Sequence, residues 1–247
     1  MKKNEITEKN HWEDFHQTQP RLRLPSKLVV TTRNIQGLLG RHISSGDKVL
    51  EIGFAPGKQL SYVASEYGAD VTGLDYSEFG SATAKKLFEA LNLEATILCE
   101  SIFETSLRDE SFDVVYSIGV VEHFKDPKEI IQKHVHLLKP GGKAIIAIPN
   151  YGGIYGKIQN WFDSANIDIH NLDMMNEEAY AGFVAGMQIT SVRAFRYGRL
   201  DPSIVSWRAR FPKVVARLIN YLGTAVGHIL PSRLGPLSPW LILEVTK

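Results

Sequence analysis

From residue 48 onward, short and nearly continuous apolar runs alternate with longer stretches of mixed polarity. KVLEIG (48–53), DVTGLD (70–75), ATILCES (95–101), FDVVYSIG (112–119) and KAIIAIPN (143–150) have the length and composition of strands. Gln59–Tyr67, Phe79–Leu91 and Pro127–Leu138 read as helices between them. Such alternation builds a parallel, doubly wound α/β sheet, and the unbroken apolar character of KAIIAIPN predicts a strand covered on both faces. LKPGG (138–142) predicts a turn just before that strand. Met187–Tyr197 and Pro239–Thr246 supply two later strands. Residues 1–46, which include Trp12, Phe15, Arg21 and Arg23, predict one or two helices capping a cleft, and residues 151–175 interrupt the alternation with glycines and aromatics as a second cover.

The stretch with the most specific chemistry is KVLEIGFAPGKQ (48–59), followed by Asp75 at 24 residues beyond Glu51. A strand runs into a glycine loop, the loop opens a helix, and the next strand ends in an acid, which is the layout of a site for an adenosine-type cofactor. Gly53 allows a sharp turn and close backbone approach, Gly57 keeps bulk away, and the Asp75 carboxylate suits a pair of ribose hydroxyls. The loop is not the dinucleotide fingerprint, because Pro56 removes an amide that a pyrophosphate needs. Nor is it a Walker loop, since only three residues separate the glycines and Gln59 follows Lys58. Glu51, two residues before Gly53, is placed to reach the ammonium group of an amino-acid-bearing cofactor.

The E-x-G-x-x-x-G pattern with Asp75 downstream resembles the class I S-adenosylmethionine-dependent methyltransferases, with Ala55 standing where that family usually has a central glycine. The resemblance implies a Rossmann-like sheet of seven strands, mostly parallel, whose last strand is inserted antiparallel. It implies S-adenosylmethionine as cofactor, S-adenosylhomocysteine as product and no metal. Carried onto this chain, Glu51, Gly53, Phe54, Ala55, Gly57 and Asp75 form the cofactor loop and ribose site, and Tyr76 stands beside the adenine. Glu100, Ser101 and Ile102 follow the third strand, where the family reads the adenine. Ser117 and Gly119, in YSIGVVEHFKDP (116–127), would line the cleft near the methionine moiety.

His123 in the same segment is the candidate base, since an imidazole with a pKa near 6.5 can take a proton from an attacking hydroxyl. A loop-organising role is its alternative. His170 approaches from the 151–175 insertion as a second candidate catalytic residue, and Tyr151, Tyr155 and Trp161 are candidates for an aromatic acceptor wall. His134 and His136 sit two apart on a predicted helix and so face different ways, which argues against a metal site.

Composition bounds the reading. A chain of 247 residues, 44% hydrophobic and 22% charged, suits one methyltransferase domain divided into a cap (1–46), a cofactor core (47–150), a cover (151–175) and a C-terminal sheet part (176–247). The net charge of +1 hides an asymmetry: residues 193–247 carry nine Lys or Arg against Asp201 and Glu244, a local +7 that leaves −6 on residues 1–192. The acidic front part argues against nucleic acid as substrate. Cys99 has no partner for an internal disulfide and reads as a buried small hydrophobe. Neither a signal-like apolar core nor a run of about 18 apolar residues occurs, so the expected location is cytoplasmic.

Within the basic part, Val214, Leu218, Leu222, Val226 and Ile229 form one helical stripe, and Arg217, Tyr221, Thr224 and His228 another. The expectation for this helix is packing on the sheet or in a homodimer. The alternative is peripheral contact of residues 207–230 with the inner face of a membrane or with a lipid-linked acceptor. The expected activity is methyl transfer to a small-molecule, glycan or lipid-precursor acceptor at oxygen. The alternatives are N-methylation of a small amine or amino sugar, a non-catalytic cofactor-binding protein, and a nicotinamide-dependent oxidoreductase.

Overall fold

The computed structural model describes every residue except 1–3, 8, 17–21 and 233, so the expectation for Arg21 lies outside the described residues. Its helices are α1 (Lys9–His16), α2 (Val30–Leu39), α3 (Lys58–Tyr67), α4 (Glu78–Leu91), α5 (Lys128–His136), α6 (Ile154–Phe162), α7 (Ser164–Asp168), α8 (Glu177–Gly182) and α9 (Lys213–Ile229). The strands are β1 (Lys48–Ile52), β2 (Asp70–Asp75), β3 (Thr96–Cys99), β4 (Phe112–Ile118), β5 (Leu138–Pro149), β6 (Ser191–Tyr197) and β7 (Trp240–Thr246). They form one sheet in the order β3-β2-β1-β4-β5-β7-β6. The first five are parallel, and β7 runs antiparallel between β5 and β6, as the resemblance implied.

Because successive strand residues point to opposite faces, each central strand feeds two cores. Leu50 and Ile52 of β1, Val115 of β4 and Ile146 and Ile148 of β5 pack with Ile130 and Ile131 of α5 on one face. Val49, Val114, Ile145 and Ala147 pack on the other with Leu60 and Val63 of α3 and with Ile35, Leu38 and Leu39 of α2. Each such buried Val, Leu or Ile contributes about 1.5–3 kcal/mol, which is why these strands read as unbroken apolar runs. Chain turns between the layers use local capping: Ser77 Oγ accepts the Gly80 amide at the start of α4, and Asn92 ends it at φ +52.

Three sequence expectations change. LKPGG is not a separate turn but a bulged start of β5: pairing jumps from Phe112 opposite Leu138 to Val114 opposite Lys143. Gly141, at φ +80, and Gly142 exchange backbone hydrogen bonds with Lys247, so the end of the chain holds the bulge in the sheet. β6 begins at Ser191, because Met187 closes a turn onto the Val184 carbonyl. Cys99 is exposed rather than buried, since β3 is an edge strand with one uncovered face.

Candidate active site

The β1–α3 loop and the ends of β2 and β4 meet around a cavity of about 310 Å³, the lower end of the range for small-molecule sites. Gly53 turns at φ +71, and a Cβ there would collide with Val120 Cγ2, so backbone and cavity wall approach in a way that only glycine permits. Asp75 ends β2 on the same wall. Its two carboxylate oxygens accept the amides of Ala55, at 3.1 Å, and Ser77, at 2.8 Å, which fixes the side chain to the loop on one side and to the start of α4 on the other.

Of the residues assigned to the cofactor, Gly53, Ala55, Asp75, Tyr76, Glu100, Ser101, Ile102 and Gly119 line this cavity. Glu51, Phe54, Gly57 and Ser117 do not. The Glu51 carboxyl turns away into the core, where the Tyr116 hydroxyl donates to it at 2.8 Å, and burial pushes its pKa up to about 8. The Phe54 ring lies under the loop against the Cα of Gly73. Gly57 opens α3 at φ +88, where a Cβ would stand 2.9 Å from Ala84 Cβ, so this glycine serves the packing of α3 on α4. Ser117 is fully buried, with its hydroxyl 2.9 Å from His134 Nε2. Glu100 lines the cavity with its carboxylate engaged by Ser106 and Thr105, contacts that hold it below the usual carboxylate range.

His123 sits in a short 3-10 turn (Val121–His123) after β4 and is almost wholly buried. Its Nδ1 lies 2.9 Å from the Ile169 carbonyl and 3.0 Å from Thr7 Oγ1. A carbonyl can only accept, so Nδ1 carries the proton and Nε2 presents a lone pair. Burial, reinforced by His170, lowers its pKa to about 3. The His170 ring stands 4.8 Å from it, and its Nδ1 is likewise committed to a carbonyl, that of Asn166, with burial lowering its pKa. Glu122, buried beside both, is pushed up to about 8 by desolvation, and its Oε2 has no hydrogen-bond partner. At neutral pH this corner therefore holds a protonated carboxyl and two neutral imidazoles.

The structure sets His170 beside His123, but only His123 lines the cavity, and the expected aromatic wall lies away from it. Tyr151 meets His170 edge-on at 5.0 Å, away from the cavity, and donates to the Ile204 carbonyl. Tyr155 is buried in a small side core with Phe162 and Val205. Trp161 lies on the outer face of α6, 62% exposed, under the Arg210 guanidinium. None of the three lines the cavity.

The roof comes from the 1–46 segment expected to cap the cleft, through α1 and contacts that the sequence did not reveal. Residues 4–7 lie along 123–126: the Ile6 amide donates to the His123 carbonyl and the Lys125 amide to Asn4. This brings Glu5 and Thr7 to the cavity, and Trp12 of α1 meets the edge of His123 at 4.8 Å. Glu13 ties α1 down by accepting the amides of Glu78 and Phe79 and the Ser77 hydroxyl at the start of α4. These contacts join residues far apart in the chain, so no local motif signals them.

Comparison with known proteins finds methyltransferases. A methyltransferase domain family matches residues 50–146. The ubiquinone biosynthesis O-methyltransferase of Idiomarina loihiensis is 35% identical over 129 residues, which is 51% of this chain and 49% of that protein. Phosphoethanolamine N-methyltransferase 2 of Caenorhabditis elegans is 31% identical over 118 residues, 47% of this chain and 26% of that one. The chain thus spans about half or less of the length of these curated relatives. Among solved structures, the phosphoethanolamine N-methyltransferase 2 of Haemonchus contortus, in complex with phosphomonomethylethanolamine and S-adenosylhomocysteine, superposes with a TM-score of 0.61 at 20% identity, covering 85% of this chain and 51% of that one.

Proposed function

We propose that this chain, whose residues 50–146 match a methyltransferase domain family, is a class I S-adenosylmethionine-dependent methyltransferase that transfers a methyl group to an oxygen of a small-molecule acceptor and leaves S-adenosylhomocysteine. The observation that carries the reading is the meeting, in one cavity, of the Gly53 turn, the anchored Asp75 carboxylate and His123, whose Nδ1 is held by a carbonyl. The donor set fits the cofactor: a carboxylate for ribose hydroxyls, apolar Leu74 and Ile102 beside it for a purine face, and a glycine that lets the backbone come close.

When bound, S-adenosylmethionine supplies a methyl group already activated for in-line displacement by a lone pair. The chain's residues then have two tasks, holding and proton handling. Asp75 and Tyr76 would hold the nucleoside, and Trp12, Thr7 and Phe124 close the cavity against water. His123 would accept a hydrogen bond from the acceptor hydroxyl and take its proton as the new C–O bond forms. With a pKa near 3 it is a weak base, so proton transfer accompanies bond formation rather than preceding it. The same weakness favours a second reading, transfer to a neutral amine, whose lone pair needs no prior deprotonation. Relatives of both kinds, acting on oxygen and on nitrogen by name, are consistent with either.

Calorimetric titration with S-adenosylmethionine, S-adenosylhomocysteine and NAD tests the cofactor assignment. Micromolar binding of the first two without NAD is expected, and Asp75→Ala should weaken it at least tenfold, about 1.4 kcal/mol. Binding of NAD alone, or unchanged affinity in the variant, overturns the assignment of this site.

A further inference from the structure

The helix α9 turns its small residues inward and its large apolar ones outward. Among its 17 residues only Ala216 and Gly227 are buried. A Cβ at Gly223 would collide with Pro202, and one at Gly227 with the Leu200 carbonyl and, at 3.2 Å, Val30 Cγ2. These glycines, which on sequence grounds weaken an isolated helix, are instead the face on which the helix docks. The expectation that its apolar stripe packs on the sheet is therefore reversed. Val214, Leu218, Tyr221, Leu222, Val226 and Ile229 are all exposed, Ile229 by 84%, and at 100° per residue they share an arc of roughly 140°.

The stripe continues at both ends. Near the C-terminal end, His228 reaches the carbonyl of Leu28, which is itself 78% exposed. Near the N-terminal end, Arg210 joins the patch to the exposed Trp161. One flank is basic: Arg208, Arg210, Lys213 and Arg217 are exposed, and the sequence holds no acid between Asp201 and Glu244.

We propose that this face lies on an anionic lipid surface, with the apolar stripe at the boundary between headgroups and acyl chains and the basic flank over lipid phosphates. A polar, basic face beside a Trp- and Leu-bearing one is the pattern of a helix that lies in a membrane interface. No helix among the described residues is long and apolar enough to cross a membrane, so the contact is with one leaflet. A two-fold pairing of α9 with a second copy fits less well, because it would bring two basic flanks together without an acid in the segment to pair them.

The inference is independent of the chemistry in the cavity, and its test reads separately from cofactor binding. The full chain is sedimented with vesicles of phosphatidylcholine alone and with about one third phosphatidylglycerol. At least tenfold stronger binding to the anionic vesicles, falling as salt is raised, is expected. Leu218→Asp with Leu222→Asp should reduce that binding about tenfold, while circular dichroism and S-adenosylhomocysteine affinity stay unchanged. Arg210→Gln with Arg217→Gln should remove most of the preference for anionic lipid. Equal binding to both vesicles, no binding, or a dimer in sedimentation that the Leu218→Asp and Leu222→Asp pair splits overturns the proposal, the last by assigning the face to a second copy.

Discussion

Gly53→Ala isolates the tightest point of the site. Two costs arise there and can be separated. The first is conformational: φ is +71, and a residue with a Cβ pays roughly 1–2 kcal/mol in that left-handed region. The second is steric: the new methyl would overlap Val120 Cγ2, and such overpacking typically costs about 1–3 kcal/mol. The sum is about 2–5 kcal/mol, shared between stability and the loop geometry that the cofactor needs. Removing the second partner through Val120→Ala should recover the steric part but not the conformational part, so the double variant is expected about 1–3 kcal/mol above Gly53→Ala once the cost of Val120→Ala alone is subtracted. Urea denaturation of the four proteins, with S-adenosylhomocysteine titrations alongside, completes the cycle. Recovery within error of zero would refute the collision as the cause, and a Gly53→Ala variant as stable and as tight-binding as the parent would refute the need for glycine at this turn.

The other predictions follow from the buried polar groups. Tyr116→Phe removes the donor to the Glu51 carboxyl and should cost about 1–3 kcal/mol in urea denaturation, with a smaller effect on cofactor affinity because Glu51 stands outside the cavity. Glu122 has a folded pKa near 8 against an ordinary 4.5, so its stability contribution is present below pH 4.5 and is lost as pH rises toward 8. Glu122→Gln should therefore gain on the parent, by on the order of a few kcal/mol, between those limits, and parallel stability curves would show that burial does not hold the carboxyl neutral. His123, lowered to about 3, stays neutral above pH 5, so a pH–rate profile for a hydroxyl acceptor should show no inflection from this imidazole between pH 5 and 8. An inflection near 6.5 that His123→Gln abolishes would contradict the burial of that ring.

The half of the cavity proposed to hold the cofactor was legible in the sequence because it is local. Gly53, Ala55, Asp75 and Tyr76 fall within one β1–α3–β2 passage, and the backbone that places them is set by short-range turn chemistry. Glu51 and Gly57 belong to the same motif yet serve the core, Glu51 through Tyr116 and Gly57 through Ala84, a distinction that spacing cannot express. The stripe on α9 was visible as periodicity, but periodicity gives a face without saying what meets it. The close approach of Gly223 and Gly227 to Pro202 and Leu200 decided which side is docked.

The half of the cavity around His123, proposed to face the acceptor, is built by contacts remote in sequence, and its chemistry follows from them. Thr7 reaches His123 across 116 residues, and the Ile169 carbonyl reaches it across 46. These partners fix the imidazole tautomer, and their packing excludes the water that would otherwise raise its pKa. A histidine read from sequence as an ordinary base near 6.5 becomes, in this setting, an acceptor whose proton affinity is low and whose orientation is rigid. Rigid orientation suits a reaction in which the methyl donor is already activated, because what remains is to align one lone pair with one bond. The roof that supplies Thr7 and Trp12 is thus as much a part of the site as the glycine loop, and acceptor choice should respond to substitutions there more than to changes at Tyr155 or Trp161.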